Sequence, residues 1–138
     1  MSYDPNNIFA KILRGEMPCV KVYEDEHCLS FMDIMPQAEG HTLVLPKEPA
    51  ETLLDLSDAA AAETIKVVKK MAKAVKQATG AAGVTIVQFN GAEAGQTVPH
   101  LHFHIVPGSF AKAKAHAKEM VDPASLQELA DKITAAVE

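Results

Sequence analysis

A chain of 138 residues, 48% of them hydrophobic, is long enough to close one core and predicts a single domain over residues 1–138. Its net charge of −5 excludes a global attraction to nucleic acid polymers or acidic membranes and leaves room only for a small local anion site. No stretch approaches the roughly 18 apolar residues of a membrane span, and MSYDPNNIFAKILRGEM lacks an apolar run behind a basic end, so a cytoplasmic location is expected.

Asp4 and Pro5 mark a helix start, and Ile8, Phe9, Ile12 and Leu13 follow at helical spacing until Gly15, predicting a short helix over about residues 5–14. VKVYED and CLSFMD are rich in Val, Tyr, Phe and Leu and flank the polar Asp25, Glu26 and His27, the pattern of a hairpin. Beyond the Pro36 to Gly40 turn, HTLVLP supplies a third strand. From Ser57 to Thr79 no Gly or Pro interrupts a repeat of Ile65, Val68, Met71 or Ala72, and Val75. A long amphipathic helix is expected there, with Gly80 as its stop. VTIVQFN (84–90) and HLHFHIV (100–106) read as fourth and fifth strands joined by GAEAGQTVP.

SFAKAKAHAKEM, rich in Ala and Lys, fits a loop or a frayed helix, and a solvated surface segment is its simpler reading. A last helix begins at Asp122 as cap with Pro123 in the first turn, and buries Leu126, Leu129, Ile133 and Val137. Runs of strands broken by one long helix favour an α+β fold on an antiparallel sheet. Cys19 and Cys28 match neither a zinc spacing nor a disulfide framework and read as reduced thiols.

VPHLHFHIVP places three of the six histidines at alternate positions. A strand would set His100, His102 and His104 on one face and Leu101, Phe103 and Ile105 on the other. The first and third would lie roughly 13 Å apart along the strand, at about 3.3 Å per residue, against Zn–N bonds of about 2.1 Å. All three on one ion is therefore disfavoured; a two-histidine site completed by Asp33, His27 or His41 remains open, as do three solvated histidines. Gly95-Gln96-Thr97 just ahead offers backbone N–H groups, an amide and a hydroxyl, the donors a phosphate needs. A neutral imidazole can attack phosphorus while a neighbouring imidazolium neutralises charge or protonates a leaving group.

HLHFHIV fits the His-φ-His-φ-His-φ-φ pattern, φ being apolar, of the histidine triad (HIT) nucleotide-binding family. GQTVPHLHFH resembles that family's phosphate loop running into its triad strand, and IFAKILRGEMPCVKVYEDEHCLSFMDIMPQAEGHTLVLPKE resembles its N-terminal half, most closely in bacterial Hint and Hit-like members. The resemblance implies a five-stranded antiparallel sheet with a long helix, and a homodimer. It implies His102 as nucleophile on the α-phosphorus of a nucleotide, His104 with Thr97 and Gln96 on the phosphate and leaving group, His100 orienting His102, and His41 in support. By the same resemblance Ile8, Phe9, Ile12, Phe31, Asp33 and Ile34 form the base and ribose pocket, Asp33 accepts from the ribose, Asn90 sits near the phosphate and Gly95 belongs to the phosphate loop. Read without it, the apolar members are core and Asp33 is a turn residue.

The implied activity is hydrolysis of purine nucleoside 5′-phosphoramidates or aminoacyl adenylates through a nucleotidyl-histidine, releasing a purine nucleotide such as AMP or GMP. Dinucleoside polyphosphate hydrolysis, or nucleotide-binding regulation with incidental catalysis, is the alternative. Some bacterial relatives hold a zinc partly on a Cys-x-x-Cys flanking Ile-Phe; Asn7 and Ala10 stand there in this chain, so neither that zinc nor any other cofactor is expected. IVPGSF also lacks the Gly-Gly-Arg that follows the triad in many members of the Hint branch.

Overall fold

The computed structural model describes residues 3–108 and 122–138, so the Ala- and Lys-rich segment after the histidines lies outside the described residues. Its elements are α1 (Ile8–Leu13), β1 (Lys21–Glu24), β2 (Cys28–Met32), β3 (Thr42–Pro46), α2 (Asp58–Thr79), β4 (Val84–Gln88), β5 (Phe103–Pro107) and α3 (Pro123–Ala136). The strands form one antiparallel sheet in the order β1-β2-β3-β5-β4, the α+β architecture expected. Among the described residues, no helix is long and apolar enough to cross a membrane.

Both faces of the sheet are covered, which is why β2 and β3 are buried at every position. Val22, Cys28, Met32 and Val44 pack with Leu101, Phe103 and Ile105 against Val68, Met71 and Val75 of α2 and Leu126 and Ile133 of α3. On the other face Leu29, Phe31, Leu43 and Leu45 meet Phe9 of α1. The two-residue period of the strands thus sends alternate side chains into a large core and a small one.

The helices differ from the sequence reading at one cap and in which side chains they bury. Asn7, not Asp4, caps α1: its Oδ1 accepts from Ala10 N at 2.8 Å, while Asp4 Oδ1 accepts from Asn6 N in the turn ahead. The long helix starts where expected, with Ser57 Oγ accepting from Ala60 N, and stops at Gly80 with φ of 70°. Ile65 is not in its buried stripe, which runs through Thr64, Val67, Val68, Met71 and Val75 and leaves Ile65 54% exposed. In α3, Asp122 caps as expected and Leu126, Ala130 and Ile133 are buried, with Leu129 and Val137 half-buried at the margin.

Candidate active site

Strand pairing brings the histidines together. β3 and β5 pair with Leu43 opposite His104, and His41 immediately precedes β3, so two side chains 63 positions apart meet with His41 Nε2 3.0 Å from His104 Nδ1. Regular strand begins only at Phe103, so His100 lies in the bend ahead of β5 and His102 is the irregular residue next to it, neither within the strand. The alternation still holds, since Leu101, Phe103 and Ile105 enter the large core and the histidines take the opposite side. That side is not open to solvent: His41, His100 and His102 are buried and His104 is half-buried. Phe9 of α1 covers His102, ring edge to ring face with centroids 4.8 Å apart.

A cleft of about 430 Å³ lies between α1, the turn after β2 and the loop before β5. Ile8, Phe9, Ile12, Phe31, Asp33, Ile34, Gly95, Thr97, His102 and His104 line it, ten of the sequence-selected residues in one place. Four others are not part of its lining. His41 and His100 are buried supports, Gln96 braces the loop, and Asn90 accepts from Leu53 N at 2.9 Å on an exposed surface. Gln96 has no free donor for a phosphate: Nε2 donates to Glu51 O at 2.6 Å and Val98 O at 2.9 Å, and Oε1 accepts from Gly91 N. The Gln96 amide thus holds the loop where the resemblance placed it on the phosphate.

Sequence reasoning missed Leu43, Gln37 and Phe89, which also line the cleft, and Tyr3, which supports it. Leu43 carries the period of any half-buried strand, and a lone Phe at a strand end carries no signal of its own. A larger hollow of about 640 Å³ along α2 is walled mainly by Lys66, Lys69, Lys70, Lys73 and Lys76 and contains none of the motif residues.

Hydrogen-bond partners fix the tautomers. A backbone carbonyl only accepts, so His102 Nδ1 carries the proton it donates to His100 O at 2.7 Å, and Nε2 keeps a lone pair. His100 Nε2 likewise donates to Pro46 O at 2.8 Å, while its Nδ1 accepts from the Tyr3 hydroxyl at 2.6 Å. His41 Nδ1 accepts from Gln37 N at 3.0 Å, which puts its proton on Nε2, donated to His104 Nδ1. Neutral His104 is therefore protonated on Nε2. The two catalytic candidates present opposite faces, a lone pair on one ring and an N–H on the other.

Burial lowers the proton affinity of all four: His41 falls to about 4 and His104 to about 3, each with a further push from neighbouring imidazoles, and His100 and His102 also fall. All four shifts favour neutral imidazoles at pH 7. Asp33 shifts upward, to about 6, because burial outweighs the hydrogen bond it accepts from Met35 N.

Asp33, His41 and His104 each place a donor atom within 4.8 Å of the others, the spacing of a metal site. The hydrogen bonds oppose that use. A cation would need the lone pair of His41 Nε2, but with Gln37 N–H donating to Nδ1 that lone pair exists only on an imidazolate. At the expected Cys-x-x-Cys positions, Asn7 is committed to its cap and Ala10 is buried, so neither residue supplies a ligand.

The model of the HIT domain matches residues 14–111. Protein hit of Bacillus subtilis is 40% identical over 134 residues, 93% of this chain and 92% of that one. The adenosine 5′-monophosphoramidase of Schizosaccharomyces pombe is 45% identical over 100 residues, 72% of each. A crystal structure of a Hit-like protein involved in cell-cycle regulation from Bartonella henselae superposes with a TM-score of 0.90 at 50% identity, over 99% of this chain and 100% of that one. Motif, sheet order and these similarities agree, and the chain belongs to the HIT family.

Proposed function

We propose that the protein is a nucleotide hydrolase acting at the α-phosphorus of purine nucleoside 5′-phosphoramidates or aminoacyl adenylates and releasing the nucleoside monophosphate. The observation that carries this reading is the state of His102: neutral, buried, its Nδ1 proton held by His100 O, its Nε2 lone pair free on a ring lining the cleft. An imidazole so held is a nucleophile without first losing a proton. The similarity to a named adenosine 5′-monophosphoramidase supports the substrate class.

The base lies against Ile8, Phe9, Ile12, Phe31 and Ile34, the ribose hydroxyls donate to Asp33, and the phosphate faces Thr97 and Gly95 of the loop. His102 Nε2 attacks phosphorus, forming an N–P bond as the bond to the leaving group breaks. A departing carboxylate needs no proton. A departing amine takes one from His104 Nε2, because the negative phosphate raises the proton affinity of His104 above its value in the empty cleft. Once His104 is doubly protonated it no longer accepts from His41, and Asp33 Oδ2, 3.5 Å from His41 Nε2, takes over as acceptor. After an amine has left with the Nε2 proton, water attacks phosphorus, gives a proton to that nitrogen of His104, and the N–P bond to His102 breaks; after a carboxylate has left, the proton of the attacking water stays on the released monophosphate. We further place the protein as a homodimer, supported by the open outer edge of β4 and by exposed Ile86 and Ile65.

The test is AMP release from adenosine 5′-phosphoramidate in EDTA, by parent and by His102→Ala. Turnover that ignores the chelator and falls about a thousandfold or more in the variant is expected, with AMP affinity within a few-fold of the parent. Equal turnover by the variant removes His102 as nucleophile, and loss of parent activity to EDTA transfers the chemistry to a metal.

A further inference from the structure

The hydrogen bond that holds the His102 proton is the inner end of a chain that leads out of the cleft. His102 Nδ1 donates to the carbonyl oxygen of His100 at 2.7 Å, and the ring of that same residue is pinned at both nitrogens. Its Nε2 donates to Pro46 O at 2.8 Å, and its Nδ1 accepts from the Tyr3 hydroxyl at 2.6 Å. The two rings also meet edge to face, with centroids 5.6 Å apart. His100 is fully buried, so a ring nitrogen left there without its partner is costly. Tyr3 itself stands ahead of α1 and is not among the residues that line the cleft.

We propose that Tyr3 is a positioning residue: its hydroxyl locks the His100 ring, and through the carbonyl of that residue it keeps His102 in the one tautomer that can attack phosphorus. The inference rests on the hydrolase reading above and extends it to a residue outside the cleft. A peptide carbonyl only accepts, so it selects the Nδ1–H form of His102, provided that it stays in line with that nitrogen. Pro46 O fixes one end of the His100 ring and Tyr3 fixes the other. Without the hydroxyl the buried Nδ1 has no donor, the ring shifts to find one, and the carbonyl on the same residue moves away from His102. The His102 proton is then free to pass to Nε2, where it occupies the lone pair needed for attack.

The experiment compares Tyr3→Phe with the parent in two readouts. In AMP release from adenosine 5′-phosphoramidate, kcat is expected to fall about ten- to a hundredfold, with KM and AMP affinity within twofold because the cleft lining is untouched. Nitrogen NMR of isotope-labelled histidines at neutral pH reads the tautomers directly. The parent is expected to carry its protons on His100 Nε2 and His102 Nδ1, and the variant to divide the His102 proton between Nδ1 and Nε2. A Tyr3 that only stabilises the fold lowers the urea midpoint but leaves His102 in one tautomer, and that result overturns the assignment whatever happens to kcat. So does a kcat within twofold of the parent, or a parent with the His100 proton on Nδ1. If Tyr3→Phe does not fold, Tyr3→Met, which also lacks the hydroxyl, carries the same test. A parent that releases no AMP defeats the hydrolase reading by itself; the variant's His102 then decides the positioning role alone, a divided proton supporting it and a single tautomer overturning it.

Discussion

The four histidines around the cleft tie the site's chemistry to the protein's stability. Each has a folded proton affinity below the ordinary value of about 6.5, so the unfolded chain binds the proton first as pH falls. Their contribution is whole above pH 6.5 and is lost as pH drops toward the folded values of about 4 for His41 and about 3 for His104. Asp33 runs the other way: raised to about 6 from 3.8, it adds stability that is full below pH 3.8 and gone above 6. Between pH 4 and 6.5 four groups oppose one, each with a slope of at most about 1.4 kcal/mol per pH unit. The urea midpoint is therefore expected to fall as pH is lowered from 7 to 5. A flat profile over that range would mean that these imidazoles titrate normally in the folded protein.

At the level of elements, glycines at two turns separate backbone strain from crowding. Gly80 and Gly40 both adopt positive φ, 70° and 101°. A Cβ at Gly80 meets nothing within 4 Å, whereas one at Gly40 would lie 2.7 Å from Thr79 Cγ2 and 3.1 Å from Pro107 Cγ. Gly80→Ala is expected to cost about 1 kcal/mol, from conformation alone, and Gly40→Ala more than about 2, from conformation plus overpacking. Denaturant titration of both variants checks this; equal losses would show that the Gly40 turn has slack. Gly40 was legible in the sequence only as part of a turn, because the crowding comes from α2 and β5, far along the chain. The same division runs through the rest of the fold. Every strand and α-helix among the described residues could be read from periodicity and punctuation, because hydrophobic period is a local property; the short 3-10 turns at Leu53–Asp55 and Ala92–Ala94 could not. The start of β5, the outward turn of Ile65 and the spent amide of Gln96 could not, since each is decided by what packs opposite. Without the family pattern, Ile8 and Phe31 would have stayed in the core, and only the alternating histidines and the Gly95 to Thr97 loop would have marked the site.

For the whole molecule, the two edges of the sheet differ. β1 carries Lys21 and Glu24, paired at 3.0 Å, with Lys47 on Glu24 at 2.8 Å, while β4 exposes Ile86 at 45%. Charge deters strand addition at the first edge, and the second is the candidate for pairing with another copy. A dimer mass in solution scattering at micromolar concentration, lost in Ile86→Lys, is the expected outcome; a monomeric parent removes the dimer proposal. Sequence separation has a consequence of another kind. Tyr3 completes His100 from 97 positions away, and His41 meets His104 across 63. A ribosome delivers β1, β2 and β3 early, in neighbouring hairpins, yet neither Tyr3 nor His41 has its partner until the last third of the chain is made. Under the proposed mechanism a nascent chain halted before residue 100 therefore carries Ile8, Phe9 and Asp33 of the cleft without His102 or His104 and has no activity.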